Sequence, residues 1–326
     1  MSKALAIATH LEDLDDDFEQ AVVNGLAQPQ KVIPARYFYD QKGSELFEDI
    51  TYVDEYYPTR TEIGLFERFG AEMGDALGEG IALIELGSGS SRKTPLILKH
   101  LKNLGAYVPV DISEEFLALS AQALAKDFPD LQVLPVAADF TKKFDLPGAI
   151  ADIPHAGFFP GSTIGNLEPV AARAFLKKLG KILGDGSRLL IGVDLKKDPA
   201  VLERAYDDSK GVTAAFNMNL LTRANRELDA DFNLDQFRHK ARYNDVEGRV
   251  EMHLESLCDQ TVHVGGQSFD FKVGETIHTE NSYKYTVGEF RLMARVAGWQ
   301  SVALWVDDNE YFSVHLLTRE DPPLSP

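Results

Sequence analysis

Between about residue 60 and residue 195, short apolar runs alternate with stretches of helical periodicity, the signature of a parallel α/β sheet. IALIEL (81–86), AYVPVDI (106–112), LQVLPVAADF (131–140) and SRLLIGVDL (187–195) read as strands, and AGFFPGSTIGNL (156–167) as another. TPLILKHLKNL (94–104), SEEFLALSAQALAKDF (113–128) and EPVAARAFLKKLGKIL (168–183) repeat apolar positions at helical spacing and read as the intervening helices. Thr59 followed by Glu62 predicts a capping box that opens a helix through Ile63, Leu65, Phe66 and Phe69. The rhythm then changes. Residues 199–228 read as helical, and 249–285 as antiparallel β with a Gly-Gly hairpin in VHVGGQSFDF (262–271). A helix (287–299), a strand (301–306), the turn DDNE and a final strand (311–319) close the chain as a hairpin, so the last strand runs antiparallel to the sheet. The fold class expected is α/β, a Rossmann-like sheet with an antiparallel terminal strand and an inserted α+β unit. Residues 61–196 with 286–326 would form the first unit, and 1–60 with 197–285 the second.

Composition narrows the partners. Fifty-one acidic against 33 basic residues give 326 residues a net charge of −18, with no concentrated basic footprint for nucleic acid. No apolar run approaches the roughly 18 residues that span a bilayer, and the N-terminal ALAIA run, followed by acids, is not expected to be a signal peptide. One cysteine, Cys258, excludes an intramolecular disulfide and any thiolate cluster, and His253, His263 and His278 lack metal-ligand spacing. A cytoplasmic monomer acting on a small molecule, with no metal, no membrane and no nucleic acid, is the expectation.

The loop ELGSGSSRKT (85–94) carries the candidate chemistry. From Gly87 it nearly spells both the phosphate loop and the dinucleotide fingerprint, and both fail where Arg92 replaces their last glycine. In the phosphate-loop reading, Asp194 at the end of a strand would help hold Mg²⁺. S-adenosylmethionine needs no phosphate cradle. Two glycines admit its methionine end, and an acid after the second strand, Asp111, serves its ribose. Asp139–Phe140 after the third strand and the closing hairpin favour this donor, although both aspartates could simply cap turns. In IHTENSYKY (277–285), strand alternation places Glu280, Ser282 and Lys284 on one face. A carboxylate and a hydroxyl two residues apart can meet both nitrogens of an imidazole; an exposed polar strand face is the equally available reading.

PARYFYDQKGSELFEDITYVDEYYPTRTE (34–62), ELGSGSSRKT, FFPGSTIGN (158–166) and HTENSYKY together resemble the histidine-specific, S-adenosylmethionine-dependent methyltransferases, from about residue 30 onward. The resemblance implies a class I methyltransferase fold and trimethylation of the α-amine of L-histidine to hercynine, a step of ergothioneine biosynthesis. It implies that Gly87, Ser88, Lys93, Asp111, Asp139 and Phe140 contact S-adenosylmethionine. Tyr56, Asn166 and Tyr206 would hold the amino acid's carboxylate and amine, and Glu280, Asn281 and Ser282 the imidazole. Tyr39 and Asn166 would stand nearest the chemistry, Gly161 and Phe47 would line the reacting end, and Met252 would pack on the imidazole. Neighbouring branches of the family take tryptophan derivatives, and a non-catalytic protein that binds the methyl donor as a regulator is a further alternative.

Overall fold

The computed structural model describes residues 8–9, 18–89 and 92–319, which divide into two compact units. The first unit comprises the described residues within 1–13, 58–196 and 284–326; the second comprises those within 14–57 and 197–283.

In chain order the elements are β1 (Ala8–Thr9), α1 (Phe18–Leu26), β2 (Lys31–Val32), α2 (Gln41–Ile50), α3 (Tyr57–Leu77), β3 (Ala82–Leu86), α4 (Thr94–Leu98), β4 (Ala106–Asp111), α5 (Glu114–Asp127) and β5 (Val136–Ala137). They continue with β6 (His155–Phe159), α6 (Pro169–Leu183), β7 (Arg188–Asp194), α7 (Pro199–Tyr206), α8 (Val212–Glu227), β8 (Phe237–Asn244) and β9 (Arg249–Ser256). The last are β10 (Gln260–Val264), β11 (Gln267–Phe271), β12 (Thr276–Tyr283), α9 (Val287–Val296), β13 (Trp299–Val306) and β14 (Phe312–Arg319).

The first unit is built on one eight-stranded sheet, ordered β1-β5-β4-β3-β6-β7-β14-β13. Every neighbouring pair is parallel except those made by β14, which runs antiparallel to both β7 and β13. The last strand of the chain is therefore the reversed one, and it lies inside the sheet with β13 at the edge. Strand β3 is buried at every position, as a central parallel strand covered on both faces must be. Phe66, Met73 and Leu77 of α3 join Leu83, Tyr107, Phe158 and Leu190 of the sheet in the core.

Several local readings of the sequence need correction. LQVLPVAADF yields only the two-residue β5 and an isolated Tyr107–Val133 bridge, because Pro135 has no N–H to give a ladder. The run AGFFPGSTIGNL leaves the sheet at Phe159; Gly161 and Ser162 then take positive φ (83° and 56°) before a 3-10 turn at Thr163–Asn166. Helix α3 starts at Tyr57, so Thr59 is already inside it and Glu62 is buried, serving no cap. Asp194 is no metal ligand candidate: its carboxylate meets the ammonium of Lys284 at 2.7 Å, both groups buried.

That ion pair sits where chain leaves and re-enters the first unit. Leu195 bridges Tyr285, the Tyr285 N–H donates to the Asp194 carbonyl (3.2 Å), and the Lys196 N–H donates to the Tyr285 carbonyl (3.0 Å).

The second unit holds a four-stranded sheet, β2-β12-β9-β8, with β12, β9 and β8 antiparallel, and the separate hairpin β10-β11. The hairpin turns at Gly265–Gly266, both at positive φ (56° and 70°), as a two-residue turn requires. Residues 199–228 form two helices. Asp208 separates them, accepting from the N–H groups of Val212 (3.0 Å) and Thr213 (2.7 Å) to open α8. Strand β8, not anticipated from the sequence, completes the sheet.

Removing one partner of a buried ion pair leaves the other charged and unpaired, at about 3–5 kcal/mol. Lys284→Met is expected to lose that much in chemical denaturation, and adding Asp194→Leu to recover much of it. Losses that simply add would show that the two charges do not depend on each other.

Candidate active site

In the first unit, β3 lies between β4 and β6, where the strand order reverses, and ligands of open α/β sheets bind at the carboxyl ends of such strands. The loop after β3 starts at Gly87 (φ 68°), whose N–H donates to the Val110 carbonyl at 2.8 Å. A Cβ here would press on the Phe140 ring at 3.3 Å. The N–H of Gly89 (φ 46°) donates to Oδ2 of Asp111 at 2.9 Å, and among the described residues nothing lies within 4 Å of where its Cβ would be. Asp111 Oδ1 accepts from the Ser113 N–H at 3.0 Å. Burial pushes the Asp111 carboxyl above its ordinary value while these backbone donors pull it back.

Asp139 turns the chain after β5 by accepting from the N–H (2.9 Å) and hydroxyl (2.6 Å) of Thr141. The turn presents Phe140, whose ring packs edge-on against Phe159 (5.5 Å) and Phe175 (5.9 Å). Both aspartates thus cap turns and stand at carboxyl ends of the sheet. An acid tied to the glycine loop through the Gly89 N–H fits a nucleoside that brings a ribose. Among the described residues no group of three or more His, Cys, Asp or Glu could hold a metal.

Two buried carboxylates shape this loop. Glu62, with no exposure, accepts from the Gly161 N–H (2.8 and 3.0 Å to its two oxygens) and pairs with Lys93 at 2.6 Å. Lys93, expected to touch the methyl donor, therefore has a carboxylate partner of its own. Gly161 is brought beside it: a Cβ there would lie 3.3 Å from the Lys93 ammonium. Asn166, half-buried, closes the 3-10 turn that follows. Glu85 in β3 accepts from the hydroxyls of Thr94 (2.6 Å) and Tyr107 (2.5 Å), and burial pushes its carboxyl up to about 7 against the pull of these bonds.

In the second unit, β12 and β9 place Glu280 opposite Met252 and Ser282 opposite Val250. Directly opposed residues share a face, so Glu280, Ser282 and Met252 stand together. The Ser282 hydroxyl meets the Tyr206 hydroxyl at 2.7 Å, and the Tyr206 ring packs edge-on to Tyr56 at 6.0 Å. Asn281 does not belong to this set. It lies opposite Glu251, on the other face of the sheet, where it interacts with His278. Tyr39 and Phe47 pack at 5.8 Å, and each lies within about 6 Å of Phe216 (5.9 and 6.0 Å). The places of Phe216 and Glu62 beside these residues were not anticipated from the sequence, where Phe216 carries no motif and Glu62 reads only as half of a capping box.

A family model for histidine-specific, S-adenosylmethionine-dependent methyltransferases matches residues 18–319. The chain belongs to that family. It is 38% identical over 326 residues to the histidine N-alpha-methyltransferase of Mycobacterium tuberculosis, covering 97% of this chain and 99% of that protein. Identity and coverage are the same against the histidine N-alpha-methyltransferase of Mycolicibacterium smegmatis. The ergothioneine biosynthesis protein 1 of Neurospora crassa is 32% identical over 294 residues, 88% of this chain and 33% of that longer protein. As a member of this methyltransferase family the chain uses S-adenosylmethionine, and its sheet has the strand order and single reversed strand expected of the class I fold.

The Glu85 carboxyl is raised from 4.5 to about 7, so between those values the folded state keeps a proton that the unfolded chain has lost. Its contribution is complete below the lower value and disappears as pH rises through the upper one. Wild type should therefore lose stability between about pH 5 and 8 relative to Glu85→Gln, on the order of 3 kcal/mol. Parallel melting curves across that range would remove the assignment.

Proposed function

We propose that the protein transfers methyl groups from S-adenosylmethionine to the α-amine of L-histidine, three times in succession, to give the trimethyl betaine hercynine for ergothioneine biosynthesis. The observation that carries this reading is identity of 38% across 97% of the chain with proteins named histidine N-alpha-methyltransferase. Glu280 and Ser282 on one strand face, with Met252 opposite, give that reading a chemical basis.

The second unit would read the substrate. Glu280 accepts an imidazole N–H, while the Ser282 hydroxyl, already shared with Tyr206, serves the other ring nitrogen. Met252 offers an apolar, polarisable contact to the ring. Tyr56 and Tyr206, whose rings are packed together, would supply donors for the amino acid's carboxylate and amine, the role that the resemblance also gives Asn166.

In the first unit, Gly87, Ser88, Asp111, Asp139 and Phe140 would hold S-adenosylmethionine, with Lys93 and its partner Glu62 supporting the loop. That molecule supplies an electrophilic methyl group on a positively charged sulfur. The amine must present a lone pair, yet an α-amine is mostly protonated at neutral pH. Desolvation favours the neutral form, and Glu280 is assigned to the imidazole end, where it orients without stabilising the ammonium. Tyr39 and Asn166 are the groups assigned to the departing proton. Rate would then come chiefly from alignment.

Incubating the purified protein with S-adenosylmethionine and L-histidine should give products one, two and three methyl groups heavier by mass spectrometry. Methylation of tryptophan with none of histidine would replace the substrate and keep the reaction. Glu280→Ala should raise the KM for histidine at least about tenfold, the worth of one hydrogen bond to a charged group, and leave that for S-adenosylmethionine unchanged. Asp111→Ala should do the reverse; unaltered binding of the methyl donor by calorimetry would refute the role given to Asp111.

A further inference from the structure

The strand that carries Glu280 and Ser282 is irregular. Its register against β9 shifts between His278, which opposes His253, and Glu280, which opposes Met252. Thr279 is the extra residue of this bulge. Were Thr279 paired regularly opposite Met252, strict alternation would put Glu280 opposite Glu251 and turn both Glu280 and Ser282 to the far face, because a slip of one residue exchanges the faces of a strand. The orientation of both side chains thus depends on one inserted residue being kept in place.

Thr279 is buried, and its hydroxyl lies 2.8 Å from Oδ1 of Asn217 and 3.0 Å from the Met252 carbonyl. Asn217, on α8 and with no exposure, uses its amide N–H groups on the His253 carbonyl (3.0 Å) and on Nδ1 of His239 (2.8 Å). Nδ1 must accept that bond, so the proton of a neutral His239 is on Nε2. There it donates to the Tyr206 carbonyl at 2.7 Å. This carbonyl ends α7 and, like the last carbonyls of any helix, has no intrahelical donor. One amide therefore connects the bulge that turns Glu280 and Ser282 to the helix end that presents the Tyr206 phenol, and that phenol is bonded to Ser282.

We infer that Asn217 is a positioning residue for substrate recognition: with Thr279 at one end and His239 at the other, it fixes the relative placement of Glu280, Ser282 and Tyr206. It touches no substrate itself. This rests on the reading of Glu280 and Ser282 as the imidazole-binding pair.

The test takes the network one bond at a time. Thr279→Val keeps the shape and loses the hydroxyl; Thr279→Ser keeps the hydroxyl. His239→Asn retains an acceptor at the Nδ1 position and loses the donor to Tyr206, whereas His239→Gln can place an N–H where Nε2 stood. Thr279→Val and His239→Asn are each expected to raise the KM for L-histidine about tenfold or more, the scale of a sub-ångström to one-ångström misplacement. The KM for S-adenosylmethionine should stay within twofold of wild type on the same reasoning, and the Ser and Gln variants should return most of the loss. A histidine KM unchanged in both disruptive variants, or equal weakening of both substrates, overturns the inference and leaves the proposed function standing. Failure of both variants to fold overturns it too, since the network would then hold the unit together rather than aim its side chains. Absence of histidine turnover by wild type overturns the proposed function, and this inference with it.

Discussion

A carboxylate with no access to water must find its donors inside the protein, and Glu62 finds them in the two loops that flank β3 and β6. Its oxygens take the Gly161 N–H and the Lys93 ammonium together, so the glycine loop and the Gly161–Asn166 turn are referenced to the same point. Room for the group comes from Gly192 in β7, where a Cβ would stand 2.0 Å from Oε1. The arrangement also accounts for the backbone nearby. Ser162 takes a left-handed φ of 56°, sparsely populated for a residue with a side chain, and its hydroxyl accepts from the Asp194 N–H at 2.9 Å. The turn is held from two sides by buried polar groups, which is what allows an uncommon conformation to persist.

The second unit solves a related problem with a neutral network. Glu280 and Ser282 share the face of Met252 because the bulge at Thr279 shifts the register of β12. The bulge carries the Thr279 hydroxyl into a buried place, within hydrogen-bond reach of Asn217 and of the Met252 carbonyl. His239 is suited to the far end of this chain because burial lowers its pKa, against the raising effect of the Tyr206 carbonyl, and keeps the ring neutral. A protonated ring would turn a second N–H toward the Asn217 amide, donor against donor.

What could be read from the sequence divides along the same line. Strands β3, β4 and β7, the hairpins β10-β11 and β13-β14, and helices α5, α6 and α9 follow from short-range periodicity, and the structure has them. Gly87, Asp111 and Glu280 were singled out by the spacing of the stretches that hold them. Strand β8 was hidden because Arg238, Lys240 and Arg242 occupy its alternate positions and read as loop. Their charges are answered across the ladder, Arg238 by Glu255 at 2.6 Å and Arg242 by Glu251 at 2.7 Å, partners that lie beyond any local window. Thr59 and Glu62 show the converse failure, a local cap pattern overridden by a tertiary ion pair. The resemblance grouped Asn281 with Glu280, but neighbours on a regular strand point to opposite faces, and Asn281 lies opposite Glu251. The supporting roles of Glu62, Asn217, His239 and Thr279 had no signal in the sequence, since each is defined by a partner remote in sequence.

Under the proposed reaction the amine changes character as it is used. Each added methyl removes an N–H donor, and the third leaves a permanent cation that can donate nothing. Acceptors that hold histidine by hydrogen bonds to its amine lose their grip stepwise, while attraction to an aromatic face persists. Tyr39, Phe47 and Phe216 form a cluster with mutual spacings of 5.8 to 6.0 Å in the second unit. A cluster of rings beside a few polar groups can serve every methylation state of one nitrogen. The constant part of recognition then falls to the imidazole, which the reaction leaves untouched, and the strict placement of Glu280 and Ser282 becomes the requirement that all three transfers share.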